Sequence, residues 1–353
     1  MHRRSTYALG LLLCAFLPPF LAAAEKPRII VLATGGTIAG SAETQTRAGY
    51  SAAQLGIEGL LASVPQLAEL AKVSGEQAAN VGSQDMNDAI WLSLAARVNT
   101  LLDKPEVDGV VITHGTDTLE ETAYFLNLVV KSEKPVVLTA AMRPATALSA
   151  DGPLNIYNAV AVAADPRAAG RGVLIVANDD IHGARGVSKS HTTDVQAFTA
   201  GEYGLIGASL YGRNRWFRVP WKAHTTETPF SVADLEALPR VDVIYVTAGM
   251  SPDLIDAAVA AGARGLVTAG VGNGNMPAGV LKAVERAVNQ GVIVVRASRT
   301  GRGTVGRNVE ISDDAVGTLA AAELNPPRAR VLLKLALLET ADAARIQRFF
   351  YSY

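Results

Sequence analysis

Two short segments place threonines beside glycines, where hydroxyl chemistry could take place. Thr37 follows two glycines in the segment ATGGTIAG, and Thr116 and Asp117 follow Gly115 in the segment THGTD. Glycines let a chain turn sharply and approach a ligand closely, and a threonine hydroxyl becomes a nucleophile when a neighbouring group accepts its proton. The segments predict a site for nucleophilic attack. Taken singly, each could instead be a plain strand-to-loop turn or a group of helix-capping residues.

Two further segments add polar side chains. Ser83 and Gln84, in GSQDMND, could hold a small zwitterion or could simply begin a helix. Lys189, in VSKSHTTD, could act as a base only if burial lowers its pKa from the ordinary value of about 10.4. The alternative for Lys189 is a solvated surface lysine, which is the usual state of that residue type.

Other kinds of site have little support. The segment GRGTVG at 301–306 matches the dinucleotide pattern G-x-G-x-x-G, but the residues after it do not predict a helix. The five histidines lack metal-ligand spacing, and the only cysteine is Cys14, so no metal site and no cofactor are predicted. With 32 basic and 33 acidic residues, the chain has no charge excess for binding nucleic acid.

The elements that would position these residues alternate along the chain. Apolar runs without polar alternation, typical of buried parallel strands, predict strands at 28–34, 107–113, 135–138, 172–177, 241–246 and 292–297. Helical spacing predicts helices over 90–102, behind an N-cap at Asp85, and over 119–130, behind a capping box of Thr118 and Glu121. This order predicts an α/β fold with mainly parallel sheets, in which ligands bind at the carboxyl ends of the strands.

The length of 353 residues favours two domains. Residues 1–24 are predicted to be a signal peptide, because Arg3 and Arg4 precede an apolar stretch and small residues 22–24 suit cleavage. That stretch is short and broken by prolines, so it does not predict a membrane span, and a periplasmic protein is expected. A polar, proline-rich segment predicts a linker at 214–240, between a larger α/β domain at 25–213 and a smaller one at 241–353.

Taken together and in order, the segments resemble the bacterial-type L-asparaginases, specifically the secreted type II group, some of which also hydrolyse glutamine. The resemblance covers essentially the whole chain after residue 24. It rests on ATGGTIAG at 33–40, GSQDMND at 82–88, THGTDTLEETAYFL at 113–126, AMRP at 141–144, SADGPLNIYNAV at 149–160 and GVGNGN at 270–275. It implies two α/β domains with a left-handed crossover in the first, and a homotetramer built as a dimer of intimate dimers.

The resemblance also implies a role for each matching residue. Thr37 would be the primary nucleophile, on a lid from about Gly35 to Tyr50, and Tyr50 would hydrogen-bond it or relay its proton. Thr116, Asp117 and Lys189 would form a second catalytic cluster. The residues implied to contact the substrate are Gly36, Ser83, Gln84, Thr116, Asp117, Ala141, Asn275 and Glu310, of which Asn275 and Glu310 would come from a neighbouring subunit. The operative base could be Tyr50, Glu310 or the Thr116–Lys189 pair.

The implied reaction is hydrolysis of L-asparagine to L-aspartate and ammonia through an acyl-enzyme, with minor glutaminase activity. Three alternatives stay open at this stage. A dual glutaminase-asparaginase would use glutamine comparably, although asparagine at position 275 favours the shorter amide. A periplasmic amino-acid-binding protein would bind the same zwitterion without consuming it. A nicotinamide-dependent dehydrogenase would rest on the glycines at 301–306 alone.

Overall fold

The computed structural model describes residues 25–46, 49 and 51–353. The predicted signal peptide and Tyr50 lie outside the described residues. Within them the chain forms a larger sheet of eight strands and a smaller parallel sheet of four, so the predicted α/β fold is confirmed. In the same ranges, every helix is too short or too polar to cross a membrane.

The larger sheet and one small hairpin contain the first ten strands of the described chain. These are β1 (Arg28–Gly35), β2 (Lys72–Val81), β3 (Gly109–Thr113), β4 (Val136–Thr139), β5 (Val173–Ala177), β6 (Asp180–Gly183), β7 (Ser188–Lys189), β8 (Phe198–Thr199), β9 (Gly207–Leu210) and β10 (Arg213–Trp216). The sheet order is β10-β9-β6-β5-β4-β3-β1-β2, whereas β7 pairs with β8. Strands β1 to β5 are parallel, and β6, β9 and β10 are antiparallel to their neighbours.

The smaller sheet has the order β11-β12-β13-β14, and all its strands are parallel. Its strands are β11 (Val241–Tyr245), β12 (Gly265–Gly270), β13 (Ile293–Ser298) and β14 (Leu319–Ala320). The α-helices of the described chain are α1 (Ile57–Ala62), α2 (Leu67–Leu70), α3 (Asp88–Leu102), α4 (Leu119–Val129), α5 (Gly152–Ala163), α6 (Asp253–Ala260), α7 (Ala278–Asn289), α8 (Asp313–Val316), α9 (Pro326–Glu339) and α10 (Ala343–Ser352).

Burial explains why the apolar runs form the centre of the larger sheet. Every residue of β3, β4 and β5 is buried. Val110 and Ile112 of β3 pack into one apolar cluster, whereas Val111 packs into a second cluster on the opposite face. Because helices cover both faces, these strands need no polar alternation, and all six predicted strands are present with ends shifted by two residues at most.

Two predictions about helix starts differ from the structure. The predicted N-cap at Asp85 is wrong, because Asp85 lies in the 3₁₀ turn Ser83–Asp85 and Asn87 caps α3 by accepting a 3.1 Å hydrogen bond from the Ile90 N–H. Thr118 does precede α4, but it makes no side-chain capping bond. Its hydroxyl donates to the Ser83 carbonyl at 2.6 Å instead, so this side chain fastens two loops together.

The two sheets belong to units that share one apolar core. Helix α9 of the second unit packs against α4 of the first, and Phe125 and Leu332 lie in the same buried cluster. Lys334 on α9 also forms a 2.6 Å ion pair with Asp88. The second unit is therefore held firmly behind the helices that support the first sheet.

Candidate active site

Four adjacent parallel strands of the larger sheet, in the order β4-β3-β1-β2, end at the same edge. The segments that follow them carry most of the residues singled out in the sequence, which are Ala141 after β4, Thr116 and Asp117 after β3, Thr37 after β1, and Ser83 and Gln84 after β2. The carboxyl edge of such a sheet is where ligands bind. The strand order therefore brings these side chains to one place.

The loop that carries Thr37 lies against the backbone of the loop after β3. Gly36 has φ +81°, and a Cβ built on it would lie 2.4 Å from the Gly115 nitrogen. A side chain at position 36 would therefore clash with Gly115 and would also strain the backbone. Thr37 follows in a 3₁₀ turn and is only 7% exposed, so a largely buried threonine directly follows the glycine that contacts Gly115.

Ser83 fastens the third loop to the same centre. A Cβ on Gly115 would lie 2.6 Å from the Ser83 Oγ, so this contact also requires glycine. The Ser83 Oγ accepts a 3.1 Å hydrogen bond from the Asp117 N–H. Because the Thr118 hydroxyl holds the Ser83 carbonyl as well, the loops after β2 and β3 form one rigid wall.

Lys189 reaches this wall from the β7–β8 hairpin. Its Nζ donates to the Thr116 Oγ1 at 2.9 Å and forms a 2.5 Å ion pair with the Asp117 Oδ1. The lysine side chain is only 17% exposed, so it is not a solvated surface lysine, whereas the Asp117 side chain is 60% exposed. The cluster thus combines a hydroxyl, an ammonium and a carboxylate that still faces solvent.

Gln84 and Ala141 follow β2 and β4, the two outer strands of this group of four. Gln84 is exposed, and its amide folds over Gly82 and donates to the Asp85 carboxylate at 3.2 Å. Ala141 is buried, and the backbone N–H groups of the next two residues donate to the Asp151 carboxylate at 2.9 Å each. The chain after β4 is therefore fixed in place, whereas the Gln84 side chain lies at the surface.

The predicted lid returns to the site near its base. Backbone hydrogen bonds of 2.9 Å join Ser41 and Ser51 in both directions, and the Ala145 N–H donates to the Gly40 carbonyl at 3.0 Å. The Ala42 N–H donates to the Thr146 hydroxyl at 2.9 Å. The loop therefore rests on the segment after β4. The role of Tyr50 stays a prediction, because that residue lies outside the described residues.

Asn275 and Glu310 lie in the second unit and are hydrogen-bonded to each other through the asparagine Nδ2. Among the described residues, no hydrogen bond or ion pair links this couple with Ser83 or with the Lys189 cluster. The single chain therefore brings the first-unit residues together and leaves Asn275 and Glu310 as a separate pair.

A buried ion pair positions the two loops that carry Asn275 and Glu310. Arg296 and Asp313 are both essentially inaccessible, and two bonds of 2.6 and 2.7 Å join the guanidinium to the carboxylate. Arg296 also donates to the Asn273 and Gly306 carbonyls, each at 3.0 Å. Because a buried charge needs all its partners, this pair fixes the separation of the loops.

Sequence reasoning missed a supporting role for His114. Its ring is fully buried, with Nε2 3.0 Å from the Thr122 hydroxyl and Nδ1 2.7 Å from the Gly115 carbonyl. Because the Gly115 carbonyl can only accept, the ring proton of a neutral His114 lies on Nδ1, and Nε2 accepts from the Thr122 hydroxyl, which in turn accepts from Trp91. Burial lowers the pKa of His114 to about 4 despite the Gly115 bond, so the ring is neutral and holds the loop of Thr116.

The buried histidines predict a specific acid sensitivity. Burial lowers the pKa of His114 and of His182 to about 4, below the unfolded value of about 6.5. Between these pH values the unfolded chain binds protons that the native chain does not, so stability falls as pH drops from 6.5 to 4. The loss should reach about 3 kcal/mol for each histidine. Urea unfolding across this range measures it.

The matched variants are His114→Asn and His182→Asn. Asparagine at 114 retains a donor for the Gly115 carbonyl but does not titrate, so its free energy of unfolding should change less with pH than that of the parent. The second variant should likewise lose the part of the pH dependence that His182 contributes. Identical pH slopes in the parent and both variants would contradict the prediction.

The other motifs place no further chemistry here. In residues 25–46, 49 and 51–353, no group of three or more His, Cys, Asp or Glu side chains is arranged to hold a metal ion. The glycines at 301–306 are followed by a loop, and the next helix starts only at Asp313. A dinucleotide loop would lead directly into a helix, so that geometry is not present.

Comparison with known proteins extends over nearly the whole chain. The family model "Asparaginase, N-terminal" matches residues 28–222, and "Glutaminase/Asparaginase C-terminal domain" matches residues 240–350. The chain is 49% identical to L-asparaginase 2 of Escherichia coli (strain K12), over 94% of this chain and 95% of that protein. It is also 49% identical to the probable periplasmic L-asparaginase of Haemophilus influenzae, over 94% of each.

The solved structures include a similar fold. The crystal structure of a probable cytoplasmic L-asparaginase from Campylobacter jejuni superimposes with a TM-score of 0.91 at 45% sequence identity. The match covers 93% of this chain and all of that one. The similarity therefore includes both sheets and the loops at their edges.

Proposed function

The chain belongs to the asparaginase family, and from that premise we propose that it hydrolyses L-asparagine to L-aspartate and ammonia. One observation carries the proposal: Gly36, which directly precedes the buried Thr37, packs against the backbone of Gly115, which leads into the Thr116–Asp117–Lys189 cluster. Amide hydrolysis needs a nucleophile, a proton acceptor and groups that hold the substrate. The residues around this contact supply each kind of group.

In the proposed reaction, the Thr37 oxygen attacks the side-chain amide carbon of asparagine. The hydroxyl proton passes to a neighbouring base, and the amide nitrogen leaves as ammonia after gaining a proton. The product of this step is an aspartyl ester on Thr37, which water then hydrolyses to aspartate. The contact of Lys189 with the Thr116 hydroxyl makes this pair one candidate for the proton transfer.

The substrate charges fit the charged groups of the wall. Asp117 uses its Oδ1 for Lys189 and remains largely exposed, so its carboxylate can accept hydrogen bonds from the substrate ammonium. The Ser83 hydroxyl can donate to the substrate carboxylate while it still accepts from the Asp117 N–H. Gln84 is exposed beside them and supplies a further acceptor.

A binding protein would hold the same zwitterion without consuming it, so catalysis decides between the two functions. The purified chain should release ammonia from L-asparagine, and release from L-glutamine should be slower. Activity should survive EDTA without added cofactor, because the site consists of hydroxyl, carboxylate and ammonium groups. A coupled ammonia assay on both amides, with and without EDTA, is the measurement. Binding without ammonia release would refute the enzyme, and metal-restored activity would refute the metal-free site.

We further propose that the active site is completed across a subunit interface in a homotetramer. Asn275 and Glu310 are hydrogen-bonded to each other, yet no bond described for the single chain ties them to the Lys189 cluster. The buried Arg296–Asp313 pair nevertheless fixes their loops, which suits residues presented to a neighbour. In a symmetric dimer, the Asn275–Glu310 pair of each subunit would complete the Lys189 cluster of the other.

Mixing two inactive variants tests the shared site. Thr37→Ala and Glu310→Ala should each be nearly inactive alone. In a mixed dimer one site carries both lesions and the other carries neither, so random reassociation should restore roughly a quarter of the parent activity. If both residues served one subunit's own site, every site would carry a lesion and no activity would return. Mass spectrometry of the mixture confirms that mixed dimers have formed.

We also propose that the protein is exported to the periplasm. The composition of residues 1–24 and the relative named as periplasmic support it, whereas the structural neighbour is named as cytoplasmic. N-terminal sequencing of the protein from a periplasmic fraction would test both the destination and cleavage after Ala24.

A further inference from the structure

A cavity of about 390 Å³ lies behind the β7–β8 hairpin, and no residue of the proposed active site lines it. Its walls come from the hairpin, the turn at 201–204, the segment 218–224 and the loop at 301–304. The cavity is of the size that small-molecule sites usually have.

The walls carry an excess of positive charge. Six basic side chains line the cavity, which are Arg171, Arg185, Arg218, Lys222, Arg302 and Arg328, against the two acidic side chains of Glu202 and Glu323. The whole chain has a net charge of only -1, so this is a strong local concentration. Such a cavity focuses positive potential and attracts anions.

Four of the six cations have no ion-pair partner within the described part of the chain. Arg185 pairs with Glu323 and Arg328 with Glu120, each at 3.1 Å. The ion pairs of the described residues do not include the other four cations, Arg171, Arg218, Lys222 and Arg302. These four side chains therefore lack a direct ion pair, although the Asp165 and Glu323 carboxylates favour the charged forms of Arg171 and Lys222 at longer range.

Backbone carbonyls hold three of these four side chains in place. Arg171 donates to the Arg167 and Arg218 carbonyls at 2.6 Å each, Arg218 donates to the Tyr203 carbonyl, and Lys222 donates to the Tyr351 carbonyl. A carbonyl orients a cation without neutralising it. Because a guanidinium has five donors and an ammonium three, each group keeps donors for a ligand.

Bringing these cations together is electrostatically unfavourable. Burial lowers the pKa of Lys222 and the nearby Arg185 lowers it further, whereas Glu323 partly opposes them. Burial likewise lowers the pKa of Arg171. An anion in the cavity would offset this repulsion.

We propose that this cavity binds a small phosphate-bearing molecule, through Arg218, Lys222 and Arg302. Planar guanidinium groups match phosphate oxygens in pairs, which favours phosphate as the ligand group. Apolar side chains, including Ile206 and Trp221, line other parts of the wall, so there is also room for an organic portion. Ser188 lines the cavity and directly precedes Lys189, so an occupant would touch the hairpin that carries the proposed catalytic lysine.

Calorimetric titration of the full chain with pyrophosphate and with ATP, both without metal, tests the proposal. L-Aspartate is added in excess so that the proposed active site is occupied. Binding should persist under these conditions at about 0.15 M salt, where the attraction of exposed charges is screened beyond about 8 Å. Tighter binding of ATP would indicate a ligand with an organic portion, and equal binding would indicate phosphate chemistry alone. No binding, or displacement by aspartate, would overturn the proposal.

A charge-matched pair of variants separates the cavity from general attraction. Arg218→Gln with Arg302→Gln should weaken binding at least tenfold, which corresponds to a loss of about 1.4 kcal/mol in binding free energy. Arg213→Gln with Arg215→Gln removes the same charge from exposed positions on β10, outside the cavity, and should leave binding unchanged. Equal losses in the two pairs would overturn the proposal. If the first pair does not fold, Arg302→Gln alone is the substitute. Arg302 lies on an exposed loop, so this variant should fold, and it should still weaken binding severalfold.

Discussion

Replacing Thr37 with valine is expected to lower kcat for asparagine by at least about a thousandfold, the scale of loss when a nucleophile is removed. Valine keeps the shape of threonine but replaces the hydroxyl with a methyl group, and the residue is almost fully buried. The fold should therefore change little. Binding of aspartate should persist, because Ser83 and Asp117 keep their contacts. Steady-state kinetics and calorimetric titration with aspartate measure the two effects.

A neighbouring threonine provides the control. Thr34 lies in β1, three residues before the proposed nucleophile. It is also buried, and its hydroxyl donates to the Thr113 carbonyl at 2.9 Å. Thr34→Val should destabilise the protein by about 1 kcal/mol through the lost hydrogen bond while kcat stays within a few-fold of the parent. Near-parent turnover by Thr37→Val, or equal loss in the two variants, would remove Thr37 from the role of nucleophile.

Replacing Lys189 with methionine is expected to lower kcat by about a hundredfold or more, the usual scale for a lost proton-transfer group. Methionine fills a similar volume, but it removes the hydrogen bond to Thr116 and the ion pair with Asp117. Because Asp117 is largely exposed, water can solvate its carboxylate, so the free energy of unfolding should fall much less than the activity does. Kinetics and urea unfolding on the same preparations compare the two losses.

Lys282→Met is the matched control for this change, because Lys282 is exposed on α7 in the second unit. It should leave both turnover and stability near the parent values. A Lys189 variant that behaves like the Lys282 variant would show that Lys189 contributes neither to catalysis nor to stability. A variant that loses stability and activity in proportion would show that its role is structural.

The sequence predicts the interior of the larger sheet well and its edge poorly. Strands β3, β4 and β5 are buried throughout, so their composition alone distinguishes them. Strand β2 was missed because Lys72–Val81 alternates between exposed and half-buried residues and contains charged and amide side chains. It forms at the sheet edge because it pairs with β1 over most of its length, which is a tertiary cause that composition does not record.

The site was predictable in its residue types and less so in its supports. The glycine-threonine segments at strand ends indicated where the chemistry would lie, and the topology places them together. His114 was overlooked because its role depends on Thr122 of α4, which contacts the ring, and on Trp91 of α3, which donates to Thr122. The Arg296–Asp313 pair was overlooked for the same reason, since its two residues come from a strand and a separate helix.

The backbone contact at Gly36 and Gly115 also bears on how the site could be altered by mutation. Since a Cβ at either position would enter a neighbouring loop, neither residue can vary without moving the proposed nucleophile or Ser83. Evolution, or a laboratory library aimed at substrate preference, is therefore left with side chains beyond this contact, such as the exposed Gln84 and the Asn275–Glu310 pair. Substrate choice could diversify there while the centre of the site stays constant.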